Sequence, residues 1–333
     1  MEGEYVNPFR KRSGNPLPQL VVLALGVAAL SLNLSAQVML VDRGLASGQG
    51  EPAARHWAGL RAAWVSDRDS FVGDDFSVGG TGEVWVIDTV RAWSLADQAP
   101  GPLFEKMTLY GGVAGEPVPK EQAECGCHGL TALKTAGASG SSDVSVSPVG
   151  ELEYVEEGIT FRVWQLEFRN LRWSVPGGAP IQFAVRTEGA RDWFNYASPV
   201  KVAHHLRVFD RAGQLRSFLG GDANGINLQV WGHLSAKVEI RRAGSFINAT
   251  LSGSPAFDIA RVDLASLRLG RGGSGPVSSQ VRDTDRHGNV DLVLAFREMD
   301  ATLPPGAISI CLTGKRLDGV PFEGCDLLAR GKP

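Results

Sequence analysis

Short runs in which apolar and polar side chains alternate fill most of the chain beyond residue 37, and this period predicts β-strands. One run, Glu83–Trp93, is rich in β-branched and aromatic residues, which favour strands. Two further runs flank the turn sequence PGGAP, with apolar positions at Leu171, Trp173 and Val175 before it and at Ile181, Phe183 and Val185 after it. This pattern predicts a hairpin with one buried face and one solvent-facing face.

The strand pattern as a whole predicts an all-β protein, in which Glu51–Val65 is the single stretch with helical spacing. We expect a jelly-roll-like β-sandwich over residues 37–235 and a smaller C-terminal β-sandwich over 236–333, where the pattern restarts at Lys237–Arg241. The segment 111–150 interrupts the pattern with prolines, glycines, serines and two cysteines. It is predicted to be a long exposed loop inside the first domain.

The first 36 residues have the layout of an export signal. A positive cluster, Arg10–Arg12, precedes the apolar run Leu20–Leu30 and the small, mildly polar residues Ser31–Ala36, after which cleavage is expected. The alternative is an uncleaved membrane anchor, one N-terminal hydrophobic helix, because Leu17–Val41 runs for 25 residues without a charge and about 20 residues span a bilayer. In either case the positive-inside rule places the rest of the chain outside the cytoplasm.

Composition narrows the class of protein. The 333 residues carry 33 Lys and Arg against 36 Asp and Glu, a net charge of -3, which excludes a strongly basic nucleic-acid binder and a highly acidic disordered chain. Hydrophobic residues make up 43% of the chain, enough to bury a core. The 41 glycines and 18 prolines favour a turn-rich β protein over a helical bundle.

The run Asp74–Trp93 resembles a recurring opening in exported bacterial proteins of uncharacterised function. In that group an Asp-Asp-Phe strand precedes a strand with Ile, Val and Trp three residues apart, and the matching residues here are Asp74, Asp75, Phe76, Ile87, Val90 and Trp93. The later run Thr160–Phe168 falls where the group has closing strands. The resemblance covers about 160 residues and implies a jelly-roll-like fold and an exported location, with no activity.

Three segments of the second half are similar to one widespread bacterial extracellular β domain: Ala256–Leu269, Val281–Phe296 and Leu312–Asp326. They match its FD…VD…S…R, DxDxxGxxDLVLxF and LTGxxxDGxPxxG patterns. The resemblance implies a C-terminal module that occurs beside varied partners and has no established chemistry. At Phe246–Gly253 this chain departs from the pattern, because FINATLSG stands where an apolar strand is expected, and we expect a shortened entry to the domain.

An Asp-rich loop inside the second of these segments is a candidate calcium site. Its positions 1, 3, 5, 6 and 9 are Asp283, Asp285, His287, Gly288 and Asp291, and the Asn289 carbonyl stands at position 7. Ca²⁺ takes six to eight oxygen ligands, and glycine permits the tight turn between them. His287 weakens the match, because imidazole is a poor ligand for Ca²⁺. The alternative is a polar turn in which Asp and Gly satisfy backbone groups.

The four cysteines form two groups. Cys311 and Cys325 flank a loop, Leu317–Gly319, in which Gly319 with a positive φ would place 311 opposite 325, so that an exported protein would form a cross-strand disulfide. Cys125, Cys127 and His128 spell C-G-C-H, one residue short of a c-type haem motif. That group would hold copper or zinc with a further ligand, for which His204 and His205 are distant choices, or form an oxidised or free thiol pair.

Trp193 is the candidate for an exposed aromatic contact, because it follows Gly189 in a stretch that reads as a loop. A surface Trp would stack on a sugar or on a protein partner, whereas most of the eight Trp residues are expected to fill the core.

Enzyme signatures for a nucleophile elbow, a zincin, a phosphate loop and a dinucleotide fold are missing from the sequence. The adjacent carboxylates Asp74–Asp75 and Glu156–Glu157 would point to opposite faces of their strands. We therefore expect a non-catalytic, exported structural or interaction protein of the cell envelope, with protein partners and without nucleic acid. If the N-terminal helix is retained, it would be an accessory subunit of a membrane complex. The alternatives are a calcium-assisted carbohydrate-binding surface protein and, third, a hydrolase of envelope polysaccharide.

Overall fold

The strands of the protein come from a computed structural model, which describes residues 37–44, 70–97, 103–113, 130–156, 159–189, 193–195, 197–201, 206–210, 215–219, 224–301 and 309–328. The predicted leader (1–36), the helical stretch (51–65), the C-G-C-H group and the pair His204 and His205 lie outside these residues. Within the described ranges, no helix is long and apolar enough to span a bilayer.

The described residues form 22 strands. They are β1 Val38–Arg43, β2 Ser70–Phe76, β3 Val84–Asp97, β4 Lys106–Val113, β5 Thr131–Gly137, β6 Val144–Glu156, β7 Ile159–Phe168, β8 Trp173–Pro176, β9 Ile181–Glu188, β10 Trp193–Asn195, β11 Ala197–Lys201, β12 Leu206–Asp210, β13 Leu215–Leu219, β14 Asn224–Ile226, β15 Leu228–Ser235, β16 Val238–Ala243, β17 Phe246–Leu251, β18 Val262–Leu269, β19 Ser278–Arg282, β20 Asp291–Arg297, β21 Ser309–Arg316 and β22 Pro321–Leu327. Two short 3₁₀ turns, Ile259–Arg261 and Glu298–Ala301, accompany them. The all-β prediction is confirmed.

Three larger sheets organise the strands. The long sheet has ten strands in the order β18-β21-β22-β15-β3-β7-β6, with β1 on β15 and both β8 and β10 on β3. The second sheet has the order β13-β12-β2-β9-β4-β5, and the small sheet the order β16-β17-β20-β19. Strands β11 and β14 form a separate pair.

One apolar core joins these sheets into a sandwich. Ile87 of β3, Leu166 of β7, Leu109 of β4 and Phe183 of β9 are almost fully buried members of it. Leu294 of β20, together with Leu312 and Phe322 of β21 and β22, continues the same buried cluster in the C-terminal half. Burial of this many large apolar side chains supplies most of the driving force for folding, since each contributes about 1.5–3 kcal/mol.

The prediction of a hairpin around PGGAP is wrong. Strand β8 pairs with β3 in the long sheet, whereas β9 pairs with β2 and β4 in the second sheet, so the PGGAP turn carries the chain from one sheet to the other. Both faces of β9 are covered, because Phe71 and Phe209 form a small cluster with Ala184 on the side expected to face solvent. Alternation correctly identified the two strands, but the choice of partner is a long-range property.

The segment 111–150 is not one long loop. Its described parts, 111–113 and 130–150, contain the end of β4, then β5 and the beginning of β6, the last two joined by a tight turn. Strand β5 pairs with β4 at the edge of the second sheet, and β6 pairs with β7 at an end of the long sheet. Small and polar residues dominate these strands because both lie at sheet edges, where less of the surface is covered.

The prediction that Phe246–Gly253 shortens the entry to the C-terminal domain is also wrong. Strand β17 occupies Phe246–Leu251 in the middle of the small sheet, paired with β16 and β20 along its length. Ile247, Ala249 and Leu251 are fully buried, and the polar residues between them face outward. The strand therefore has the strict alternation of a half-buried strand instead of a continuous apolar run.

The long sheet continues across the domain boundary predicted at residues 235/236. Strand β15 ends at Ser235 and β16 begins at Val238, so Ala236 and Lys237 alone connect the long sheet to the small sheet. Strand β22 from the end of the chain pairs in parallel with β15 through Leu234 and Ser235. Strands from both predicted domains thus share one hydrogen-bonded sheet.

Candidate functional site

A groove of about 560 Å³ lies where these two halves meet. Its lining comes from the start of β3 (82–84), the connection after β15 (234–237), the turn after β17 (252–257) and the loop between β19 and β20, which contributes Asp285, His287 and Asn289. Phe257 and Leu234 provide apolar surface, while Ser252, Lys237 and the loop residues provide polar groups. The groove therefore presents the mixture of apolar contact and directional polar groups that ligand sites use.

The loop between β19 and β20 forms one wall of the groove and is shaped by its own carboxylates. Asp283 accepts hydrogen bonds from the backbone nitrogen of Arg286 at 2.7 Å and from that of Gly288 at 3.0 Å. Gly288 has φ +81°, a conformation that glycine adopts without strain. This capping is the polar-turn arrangement that the sequence offered as the alternative to a calcium loop.

Asp291 anchors the loop to the rest of the small sheet. Its side chain is buried and accepts hydrogen bonds from the backbone nitrogens of Gly253 and Thr284, each at 3.0 Å, and from the Thr284 hydroxyl. Burial raises the pKa of Asp291, but the hydrogen bonds from Thr284 and Gly253 outweigh it and hold the pKa below its ordinary value. Asp291 thus ties the loop to the turn after β17, which also lines the groove.

We expect Asp291→Asn to lower the free energy of unfolding by about 2 kcal/mol at neutral pH, because buried donors lose a charged acceptor. The low pKa means that the folded protein binds the proton less tightly than the unfolded chain, so the contribution is present above the ordinary value of 3.8 and is lost as the pH falls through and below it. Urea unfolding of both proteins from pH 7 to pH 3 measures this. The exposed Glu239→Gln is the control, and a gap that stays constant with pH contradicts the assignment.

Asp285 and His287 are two exposed residues of the loop that line the groove. His287 Nδ1 lies 3.0 Å from Asp285 Oδ1, and the backbone nitrogen of His287 donates to the same oxygen at 3.1 Å. The hydrogen bond from the His287 side chain, followed by that from its backbone, lowers the pKa of Asp285. Because the His287 side chain is 76% exposed, it is available to a ligand or partner in the groove.

Glu83 on the opposite wall is held by the C-terminal half. Its carboxylate accepts hydrogen bonds from the backbone nitrogen of Gly80 at 2.7 Å and from Trp85 Nε1 at 3.0 Å, and Arg316 Nη1 lies 3.1 Å away. Arg316 also donates to Asp318 at 2.6 Å in the turn between β21 and β22. Burial raises the pKa of Asp318, but the hydrogen bonds from Arg316 and from the Val320 backbone, together with the positive charges of Arg316 and Arg261, outweigh it, so the pKa is lowered. These contacts fix the position of the wall.

The predicted calcium ligands are brought together only in part. One carboxylate oxygen from each of Asp283, Asp285 and Asp291 lies within 4.8 Å of the others. Each carboxylate already accepts hydrogen bonds from the loop, and one converging oxygen from each gives three ligands, fewer than the six to eight oxygens that Ca²⁺ takes. Asn289 lines the groove beside them. The loop would therefore hold a cation only with oxygens from water or from a ligand in the groove.

The cysteine pair at the end of the chain has the predicted register. Lys315 pairs with Pro321, so Cys311 lies opposite Cys325 with their Cα atoms 4.0 Å apart, and a disulfide joins them. Gly319 has φ +84°, as the three-residue turn requires. The pair lies on β21 and β22 and fixes the hairpin that carries Arg316 and Asp318.

Trp193 lies in a strand instead of the loop expected from the sequence. Trp193 begins β10, and its backbone pairs with Ala96 of β3. Its side chain is not among those described, so its role as an exposed aromatic contact stays a prediction. Trp85 and Trp93 are buried, and Arg91 lies 4.8 Å above the ring of Trp231.

Sequence reasoning missed most of the groove. Glu83 and Lys237 are ordinary charged residues in the sequence, and no motif marks the serines of the turn after β17. Only the Asp-rich loop carried a signal, through the spacing of its carboxylates. The remaining lining residues come from three separate segments, which only the sheet pairing brings together.

No protein-family model matches this chain, and no curated protein is significantly similar to it. The fold and the groove therefore define the class of protein: an all-β sandwich whose long sheet runs through both halves and whose polar groove lies at their junction.

Proposed function

We propose that the protein is an exported, non-catalytic interaction protein of the cell envelope, and that its groove receives a partner. The observation that carries this proposal is the groove itself, which is lined by both halves and bordered by the exposed His287 and Asp285. Its walls are held by internal hydrogen bonds and by the Glu83–Arg316 ion pair. Such a preformed, rigid concave surface lowers the entropic cost of binding.

A photo-crosslinking residue at position 287 tests this proposal in living cells. His287 is exposed and lines the groove, whereas Met299, which is 83% exposed and does not line it, provides the matched control position. We expect position 287 to yield one adduct of defined mass and position 299 to yield none. Equal labelling at both positions, or none at either, contradicts the proposal.

Export and membrane attachment are separate parts of the proposal, supported by the leader's charge and apolar pattern. The N-terminal residue of the protein purified from its native membrane fraction distinguishes a cleaved signal from a retained anchor. Residue 37 as the first residue indicates cleavage after Ala36. A retained N-terminus, with co-purification of a membrane complex after detergent extraction, supports the accessory-subunit form.

Calcium-assisted carbohydrate binding is the second candidate function, favoured by the three converging carboxylates beside the groove. A cation held there would need further oxygens, and sugar hydroxyls would supply them. We expect polysaccharide resin to retain the protein in Ca²⁺ and to release it in EDTA. Asp283→Asn should abolish this retention while Glu239→Gln leaves it intact, and retention that ignores EDTA rejects the calcium role.

A further inference from the structure

An amine, a carboxamide and a carboxylate meet away from the groove, on three separate segments. Lys134 is on β5, Asp143 is in the turn between β5 and β6, and Asn170 follows β7. Asp143 Oδ2 accepts a hydrogen bond from Lys134 Nζ at 3.0 Å, and Asp143 Oδ1 accepts one from Asn170 Nδ2 at 2.8 Å. Lys134 Nζ also donates to the backbone oxygen of Asn170 at 3.3 Å. One carboxylate thus holds the amine next to the carboxamide residue.

The backbone around this triangle is fixed. The backbone nitrogen of Arg169 donates to the Asp143 carbonyl at 2.7 Å, which ties the turn to the end of β7. Asn170 has φ +53°, a left-handed conformation that non-glycine residues rarely adopt. The side chains of Lys134 and Asp143 are only 22% and 31% exposed. The reacting groups are therefore held close together by the fold, which is the main requirement of an intramolecular reaction.

We propose that Lys134 and Asn170 become joined by an amide bond between their side chains, with Asp143 as the proton carrier. Asp143 takes a proton from the Lys134 ammonium, and the neutral Nζ attacks Cγ of Asn170. The new N–C bond forms as the bond from Cγ to Nδ2 breaks, and Asp143 returns its proton to the departing nitrogen, which leaves as ammonia. The second proton that Nζ gives up on becoming an amide nitrogen passes to solvent. The step needs no oxidant, reductant or cofactor, and Asp143 ends as it began.

The rate of this step depends on pH. Hydrogen bonds from Asn170 and then Lys134 lower the pKa of Asp143, so its carboxylate is ionised before the reaction and can accept a proton. Because only an uncharged amine attacks, cross-linking is expected to accelerate as the pH is raised. The reaction is thus a maturation that follows folding.

The bond would link the two large sheets covalently. Strand β5 is the edge of the second sheet, whereas Asn170 follows β7 of the long sheet. A covalent link at this point prevents the edge strand from separating from the sandwich, which suits a protein exposed to proteases outside the cell. This inference is independent of the groove and of the proposed function.

Intact mass measurement of the purified full chain tests the proposal. After incubation at pH 9 we expect the mass to fall by one ammonia, about 17 Da, in a growing fraction of molecules. Lys134→Arg keeps the positive charge beside Asp143 but lacks a nucleophilic amine, so its mass should stay unchanged. Asp143→Asn should cross-link at least about 100-fold more slowly, the usual scale of general acid–base catalysis.

Peptide mapping separates the cross-link from a reaction of the asparagine alone. The cross-linked protein should yield a branched peptide that contains both Lys134 and Asn170. A loss of about 17 Da that persists in Lys134→Arg would show that Asn170 cyclises on its own backbone, which overturns the proposal. An unchanged wild-type mass after prolonged incubation at pH 9 overturns it equally.

Discussion

Asp74→Ala is expected to lower the free energy of unfolding by about 4 kcal/mol, because it leaves the buried Arg43 guanidinium without its counter-charge. The Asp74 side chain is fully buried, and its carboxylate accepts hydrogen bonds from Arg43 Nη1 and from the backbone nitrogen of Ile226, each at 2.9 Å. Its other oxygen accepts one from the backbone nitrogen of Asp75 at 2.7 Å. One carboxylate thus joins β1, β2 and β14. Urea denaturation of the purified chain measures the effect.

A double-mutant cycle distinguishes the ion pair from general damage to the core. Arg43→Met should also be strongly destabilising, because it leaves Asp74 charged and buried. Removing both charges in the same chain should cost clearly less than the sum of the two single changes, since no buried charge is then left alone. Additive effects, or a loss below about 1 kcal/mol for Asp74→Ala, would contradict the assigned role.

Replacing both Cys311 and Cys325 with serine should lower the free energy of unfolding by about 3 kcal/mol, the usual contribution of a bond that closes a loop of this length. The two residues are 14 apart in sequence, and the bond joins adjacent strands. Thermal unfolding of the purified protein with its disulfide formed measures the loss. Treatment of the wild type with a thiol reductant should reproduce it, while the serine variant should not respond to the reductant.

The same disulfide provides a test of compartment. Structural disulfides form in oxidising compartments and are rare in the cytosol. We expect the native protein to carry Cys311 and Cys325 in the oxidised form, as shown by alkylation with and without prior reduction. If both thiols of the native protein are freely alkylated before reduction, export is contradicted.

The buried ion pair also gives a physical role to the Asp-Asp-Phe run, the run compared above with exported bacterial proteins. Asp74 and Asp75 are both buried, and Phe76 packs edge-on against Trp173 at a ring distance of 6.4 Å. Within the described residues, the run therefore stabilises the sandwich through the buried ion pair and the packing of Phe76. The sequence pointed to the run, but its partner Arg43 lies 31 residues earlier, in a strand that carries no motif.

Local sequence patterns predicted the features that depend only on residues close together in the chain. Alternation identified the strands β8 and β9, because side chains on a strand point to opposite faces in turn. Turn chemistry set the register of β21 and β22, since Gly319 permits a three-residue turn that aligns Cys311 with Cys325. The Asp-rich spacing located the loop that borders the groove.

Only the tertiary structure decided which strands are neighbours and what each face meets. The PGGAP turn is compatible with a hairpin, yet β8 and β9 belong to different sheets because each finds its partner among distant strands. The Asp74 ion pair, the walls of the groove and the contact between Asp143 and Asn170 all join segments far apart in sequence. Their energies depend on burial and on distances across the sandwich, and no local pattern of residues encodes those quantities.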